Sequence, residues 1–153
     1  MSRWLAALLV MGCIGCGGGP GPGDTQASRS CDPAGDCTCT QDCALTCAGE
    51  GCNFGCNGAA CTFDCPRGGC MVSATGPATV TLNCPPGGCG LVSTGPGTRD
   101  MTCPGGGCTG FCAGAERCAI EQCAKHCTLR CDGMVDGGCQ NSCTGHTCHT
   151  YPD

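Results

Sequence analysis

The chain has 153 residues, of which 24 are cysteine and 29 glycine, whereas phenylalanine, tyrosine and tryptophan together supply only five. Cysteine at this level exceeds the ~8–10% that already marks a disulfide scaffold. Large apolar residues are too sparse to fill an ordinary hydrophobic core, so covalent cross-links must supply much of the stability. The formal net charge is −5 and no basic stretch occurs, which argues against nucleic-acid binding.

The N-terminus has the pattern of an export signal over residues 1–12. A positive start (MSR) precedes a short apolar run (WLAALLVMG). The run is too short for a transmembrane helix, which needs about 20 apolar residues. Cys13 follows a small residue, as in the bacterial lipoprotein box, where the peptidase leaves a lipidated cysteine at the new N-terminus. We therefore expect lipidation at Cys13, with Cys16 as the alternative; an ordinary secretory signal with incidental cysteines remains open.

Residues 13–30 are predicted to hold the anchor site and a flexible tether. The segment 17–30 (GGGPGPGDTQASRS) has no apolar periodicity and is rich in Gly, Pro and Ser. The cysteine-rich repeat domain would then cover residues 31–153. Removal of the signal takes Arg3 with it and leaves six basic against twelve acidic residues, a net charge of −6.

The cysteines that follow recur in two series with a period of 18 to 20 residues. One series contains Cys47, Cys65, Cys84, Cys103, Cys123 and Cys143, and the other contains Cys52, Cys70, Cys89, Cys108, Cys127 and Cys148. Between Cys43 and Cys70, gaps of three and four residues alternate. Each three-residue gap places a large apolar residue midway between two cysteines, which puts all three on one face of a strand. The four-residue gaps contain Gly, Asn or Pro and are typical of turns.

The corner C-P-x-G-G-C recurs at intervals of 19 residues, starting at Cys65, Cys84 and Cys103. Two short strands and two corners per repeat predict an all-β or mostly irregular fold, a flattened β-solenoid of about six coils that each rise ~4.8 Å. A string of separate disulfide-knotted modules is the competing architecture, and it would lack a common register. Little helix is expected, although residues 117–130 contain good helix formers and are the alternative site of a short helix.

Disulfide connectivity is not determined by the sequence alone. In the two middle coils, the cysteines flanking the Gly-Pro corner are absent together, replaced by Thr75 with Val80 and by Thr94 with Arg99. This joint loss favours pairing within coils over vertical pairing between coils, which a spacing of ~4.8 Å also permits. Cys31 and Cys39 would take up the remainder. The candidate bridges are Cys47–Cys52, Cys65–Cys70, Cys84–Cys89, Cys103–Cys108, Cys56–Cys61 and Cys112–Cys118.

Metal binding and catalysis have weaker signals. Zinc and copper thiolate sites favour closely spaced cysteines, and the repeat region has only one C-x-C, at residues 37–39. The most compact metal candidate is the set Cys143, His146, Cys148 and His149. Residues 123–127 (CAKHC) place thiols beside a histidine, as a thiol nucleophile requires, but both cysteines lie on the repeat register. We expect no cofactor and no enzymatic activity.

The lipoprotein-like start, the Gly/Pro tether and the array of C-x3-C and C-x4-C units with C-P-x-G-G-C corners resemble cysteine-rich repeat lipoproteins of myxobacterial type. The likeness covers nearly the whole chain and is one of pattern and composition. That group has no established activity, so the resemblance implies only location and architecture.

We therefore expect a protein lipid-anchored in the bacterial cell envelope, at the outer membrane or cell surface. It would act as a rigid structural or interaction module with a protein or envelope-polymer partner. A periplasmic metal-binding or thiol-redox protein is the alternative.

Overall fold

A computed structural model describes residues 29–32, 35–134, 138–145 and 148–152. These residues form fourteen strands, and no helix occurs among them. The odd-numbered strands form one sheet: β1 (Arg29–Cys31), β3 (Cys43–Cys47), β5 (Ala60–Asp64), β7 (Thr79–Asn83), β9 (Thr98–Thr102), β11 (Arg117–Cys123) and β13 (Cys139–Cys143). The even-numbered strands form the other: β2 (Asp36–Cys39), β4 (Asn53–Asn57), β6 (Met71–Thr75), β8 (Gly90–Thr94), β10 (Thr109–Ala113), β12 (Thr128–Asp132) and β14 (His149–Pro152).

The chain alternates between the two sheets, so each turn adds one strand to each sheet. Every pairing is parallel and joins strands two apart in the chain order. This is a β-solenoid of about six turns, as predicted, and the common register along the described chain excludes separate disulfide-knotted modules. The predicted signal (1–12), Cys13, Cys16 and the tether up to residue 28 lie outside the described residues. Strand β1 begins at Arg29, so the tether prediction extends two residues too far.

The core lies between the sheets and consists of two apolar ladders. In register, the odd sheet contributes Leu45, Phe63, Leu82, Met101 and Ile120, and the even sheet contributes Phe54, Val72, Leu91, Gly110 and Leu129. The rings of Phe54 and Phe63 stack with centroids 4.6 Å apart. Gly110 leaves room for its neighbour, because a Cβ there would lie 2.7 Å from a methyl group of Leu129. Alternate side chains on each strand point outward, as period two requires.

Polar residues end these ladders. Arg29 pairs with Leu45 at one end of the odd ladder, and Asn141 pairs with Ile120 at the other. Thr150 follows Leu129 in the even sheet. Terminal units with polar residues in core positions stop a solenoid from exposing an apolar end.

The helix considered for residues 117–130 is not formed, and that alternative is wrong. The segment instead contains β11 and β12, which pair with β9 and β10. These pairings bury Cys118, Ile120 and Leu129, and the gain from burial overrides the local helix propensity. A register shift between Ile120 and Cys123 marks a bulge in β11. The extra residues there account for the drift of the repeat in the last third of the sequence.

Candidate functional site

All 22 cysteines from Cys31 onward are bridged, and every bridge closes within one turn. Seven bridges join odd strands to the even strands that follow, and we call this column the continuous edge: Cys31–Cys37, Cys47–Cys52, Cys65–Cys70, Cys84–Cys89, Cys103–Cys108, Cys123–Cys127 and Cys143–Cys148. Four bridges lie on the opposite side, which we call the interrupted edge: Cys39–Cys43, Cys56–Cys61, Cys112–Cys118 and Cys131–Cys139.

The six bridges proposed from the sequence are present with the predicted within-coil partners. Cys31 and Cys39 are not bonded to each other: they bridge Cys37 and Cys43, respectively. Cα atoms of bridged cysteines lie 5.8 to 6.4 Å apart, within the range that a disulfide spans. The hairpin-like corners bring these positions together across the thin core.

The interrupted edge lacks sulfur at two successive turns, and the predicted register there is off by one residue. Cys56 aligns with Ala74 and Ser93, not with Thr75 and Thr94. Thr75 and Thr94 point outward and are exposed, whereas the inward positions carry Ala74 and Ser93. The positions opposite are Val80 and Arg99, as the sequence indicated. One empty turn is therefore filled by Ala74 with Val80 and the next by Ser93 with Arg99.

Arg99 replaces the missing bridge with hydrogen bonds. Its side chain is fully buried, and its Nε donates to the Ser93 hydroxyl over 2.9 Å. The two terminal nitrogens donate to backbone carbonyls of two adjacent turns, at residues 76, 78, 95, 96 and 98. A planar guanidinium with five N–H groups suits this task, because it satisfies several corner carbonyls at once. Arg99 therefore links turns that no disulfide stabilises on this edge.

Burial lowers the pKa of the Arg99 guanidinium, while the charge of Glu116 acts in the opposite direction. Guanidinium remains protonated in proteins, so a positive charge is held inside the solenoid. The sequence interpretation did not single out this residue as structural. The available signal was its position: an arginine on an inward register site, with a serine on the site that faces it.

Sulfur atoms of adjacent turns lie close together. The Sγ atoms of Cys123, Cys143 and Cys148 lie within 4.8 Å of one another, as do those of Cys47, Cys65 and Cys70. The Sγ atoms of Cys103 and Cys127 are 4.0 Å apart. On the interrupted edge, Cys39, Cys43 and Cys61 form a third set of this kind. Such sets have the spacing of metal ligands, but each contains a disulfide, and the thiolate is the form that binds a metal.

The outer surface of the odd sheet carries mainly hydroxyl and carboxylate groups. We call it the threonine face; it presents Thr62, Thr79, Thr81, Thr98 and Thr102 together with Asp64, Asn83, Asp100, Arg117 and Glu121. Arg117 bridges Asp100 at 3.1 Å and Glu121 at 2.7 Å. Burial raises the pKa of Asp100, Arg117 acts to lower it, and Glu121 acts to raise it.

The outer surface of the even sheet is more apolar. Met71, Val92 and Tyr151 are exposed to 46%, 45% and 53%, and we call the column through them and Phe111 the apolar stripe. The guanidinium of Arg130 lies 5.6 Å from the centre of the Phe111 ring. Toward β2, where Gly55 carries no side chain, a shallow groove of about 390 Å³ is lined mainly by hydroxyls and amides, with the carboxylate of Asp36.

The sites considered for chemistry are not assembled among the described residues. Cys143 and Cys148 bridge each other, His146 lies outside the described residues, and the ring of His149 stacks with Tyr151 at 6.0 Å. Cys123 and Cys127 are also bridged, so neither is a free thiol beside His126. Groups able to exchange bonds in the described chain are therefore the disulfides themselves.

No protein family, curated protein or solved structure matches this chain. Within the described residues, no helix is long and apolar enough to cross a membrane.

Proposed function

We propose that this is an exported, lipid-anchored protein of the cell envelope whose bridged solenoid acts as a rigid structural or interaction module without catalytic activity. The observation that carries the proposal is the bridging of all 22 cysteines from Cys31 to Cys148 within single turns of one solenoid. Bridges at this density form and persist in oxidising compartments, which supports export. The apolar run before Cys13 supports the lipid anchor, as does the resemblance to repeat lipoproteins.

Rigidity follows from how the turns are held. Each bridge closes a loop of four to eight residues, and closing about six residues contributes roughly 2 kcal/mol by the chain-entropy relation. Parallel ladders then join every turn to the next across both sheets. A solenoid whose turns are each bridged and each paired has few ways to bend, which suits a spacer or a fixed surface.

The two outer faces differ in a way that suits an interaction module. The threonine face is hydroxylated and carries a paired charge cluster around Arg117, whereas the apolar stripe exposes Met71, Val92 and Tyr151. Exposed apolar side chains in a row are typical of surfaces that meet a partner. The apolar stripe is therefore the surface on which we would map a protein or envelope-polymer partner first.

Counting thiols in the purified mature protein tests the module against the metal-binding alternative. The measurement uses denaturant without reductant, followed by metal analysis of the native protein. We expect no reactive thiol from residues 31–148 and no bound metal. Many free thiols with stoichiometric zinc or copper would refute the module and favour the metal-binding protein.

Mass spectrometry of the N-terminal peptide tests the anchor separately. We expect a diacylglycerol-modified cysteine at position 13 in the membrane fraction, and release of the protein from that fraction in the Cys13→Ala variant. Cys16→Ala is the matched control and should remain membrane-bound. Unmodified Cys13 and Cys16 in the wild-type protein would refute lipidation and leave the solenoid module unaffected.

A further inference from the structure

The continuous edge places its most accessible bridges at its ends. Cys143 and Cys148 are both half-buried, and Cys37 is half-buried at the opposite end. The ten cysteines of the five bridges between them are at most 2% exposed. A reductant in solution therefore meets the terminal bridges first, whereas the interior bridges are reached only through their neighbours.

Neighbouring bridges are close enough to react with one another. Cys143 lies within 4.8 Å of Cys123, and Cys127 lies 4.0 Å from Cys103, measured between Sγ atoms. Near the other end, Cys47 lies within 4.8 Å of both Cys65 and Cys70. Parallel strands are ~4.8 Å apart, and a disulfide accepts Cα separations of 4.4–6.8 Å. A vertical bridge between turns therefore fits the same backbone as the bridge within a turn.

We propose that the continuous edge is a thiol–disulfide exchange relay, in which a thiol created at one turn moves along the column of bridges to other turns. Its substrate is a small dithiol or phosphine reductant that opens the terminal bridge. The edge then behaves as one redox unit and not as seven independent bridges. This inference does not depend on the lipid anchor or on the proposed structural role.

The elementary step conserves bonds and electrons. The thiolate of Cys143 forms a bond to the Sγ of Cys123, and the Cys123–Cys127 bond breaks. Its electron pair leaves with Cys127, which becomes the new thiolate and takes a proton from water. One disulfide is lost and one is formed, so no external oxidant is needed.

The next step has the same form. The thiolate of Cys127 attacks Cys103, the Cys103–Cys108 bond breaks, and Cys108 becomes the thiolate. The free thiol has then moved two turns, and two vertical bridges mark its path. Exchange requires the thiolate and a free cysteine has a pKa near 8.5, so the rate rises with pH up to that range.

The interrupted edge provides an internal control. Two successive turns there carry Ala74 with Val80 and Ser93 with Arg99, none of which contains sulfur. A thiol at Cys61 can reach Cys43, which lies within 4.8 Å, and thereby release Cys39. It has no route to the bridges beyond the gap.

The decisive variant is Cys148→Ser, which places one thiol at Cys143 without any reductant. The full chain is incubated at pH 8, quenched in acid, labelled with a maleimide in denaturant at low pH, and mapped by peptide mass spectrometry. We expect the label to move from Cys143 to Cys127 and Cys108 with time, at a rate independent of protein concentration. A label that stays on Cys143 would overturn the relay, as would a rate proportional to concentration.

The matched control is Cys56→Ser, which places one thiol at Cys61 on the interrupted edge. Its label should be confined to Cys61 and Cys39, and its appearance on Cys112 or Cys118 would contradict migration through stacked bridges.

A wild-type measurement covers the case in which Cys148→Ser does not fold. Native protein is treated with less than one equivalent of a phosphine and then mapped. We expect inter-turn peptides joined through Cys123–Cys143 and Cys103–Cys127. Recovery of within-turn bridges alone would overturn the proposal.

Discussion

The two edges of the solenoid solve the same problem with different chemistry. The continuous edge closes every described turn with a disulfide, whereas the interrupted edge replaces two bridges, one with the apolar pair Ala74 and Val80 and one with Arg99 and Ser93. A corner of this solenoid therefore needs filled space and satisfied carbonyls, and a disulfide is only one way to supply them. What the disulfides add is covalent closure, at about 2 kcal/mol each, and a continuous column of sulfur.

The largest expected effect is at Arg99. Arg99→Met keeps the length of the side chain but leaves buried carbonyls on two turns without donors. Because removing one partner of a buried charged network costs about 3–5 kcal/mol, we expect a loss of that size. Guanidinium denaturation with the bridges intact measures it. Arg67→Met changes an exposed side chain and should stay within about 0.5 kcal/mol; equal losses in both variants would refute the role assigned to Arg99.

Glycines at the two edges should differ in their tolerance. Gly87, at a continuous-edge corner, has φ +94°, and a Cβ there would lie on the carbonyl oxygen of Gly106. Gly58, at the interrupted edge, has φ +66° and open space around it. Gly58→Ala should cost only the left-handed conformation, about 1 kcal/mol, and Gly87→Ala more than about 2 kcal/mol because the corner of the next turn must also move. Equal changes in the denaturation midpoint would contradict this stacking of corners.

Restoring sulfur at the empty turn tests the register directly. Ser93→Cys with Arg99→Cys places two thiols on the positions that Cys112 and Cys118 occupy one turn later. We expect a twelfth disulfide, no free thiol, and recovery of about 2 kcal/mol of the stability lost in Arg99→Met. Thr94→Cys with Arg99→Cys is the matched control and should retain two thiols, because residue 94 points outward. A bridge in the control and none in the test would reverse the register.

The smallest effect should be at Asp100, on the outer surface of β9. Its pKa is raised in the folded state, so ionising it costs the fold, and the contribution of this group to stability is greatest at low pH and falls as pH rises through its folded pKa. Asp100→Asn should therefore be at least as stable as the wild type at pH 7, by less than about 1 kcal/mol, with the difference vanishing by pH 3. Denaturation midpoints across this range measure it. A clear loss at pH 7 would show that the ion pair with Arg117 outweighs the burial.

Much of the architecture could be predicted because the repeat states its own geometry. Period two between cysteines and apolar residues identified the strands, and the C-P-x-G-G-C corners set the turn length, so the solenoid and six of the bridges follow from the pattern. The register at the empty turns could not be predicted to the residue. Thr75 and Thr94 differ from Ala74 and Ser93 by one position, and without a cysteine nothing local indicates which of them faces inward.

The amino-acid sequence by itself determined that this protein is a stack of short strands held by disulfides, since the spacing of cysteine, glycine and apolar residues permits few other folds. Only the tertiary structure decided which atoms of different turns meet. The strand conformation of residues 117–130, the burial of Arg99 among carbonyls of two turns, and the contacts between sulfurs of adjacent bridges all depend on residues 17 to 24 positions apart. Contacts at that distance depend on exact register and stacking, which composition and local pattern do not specify.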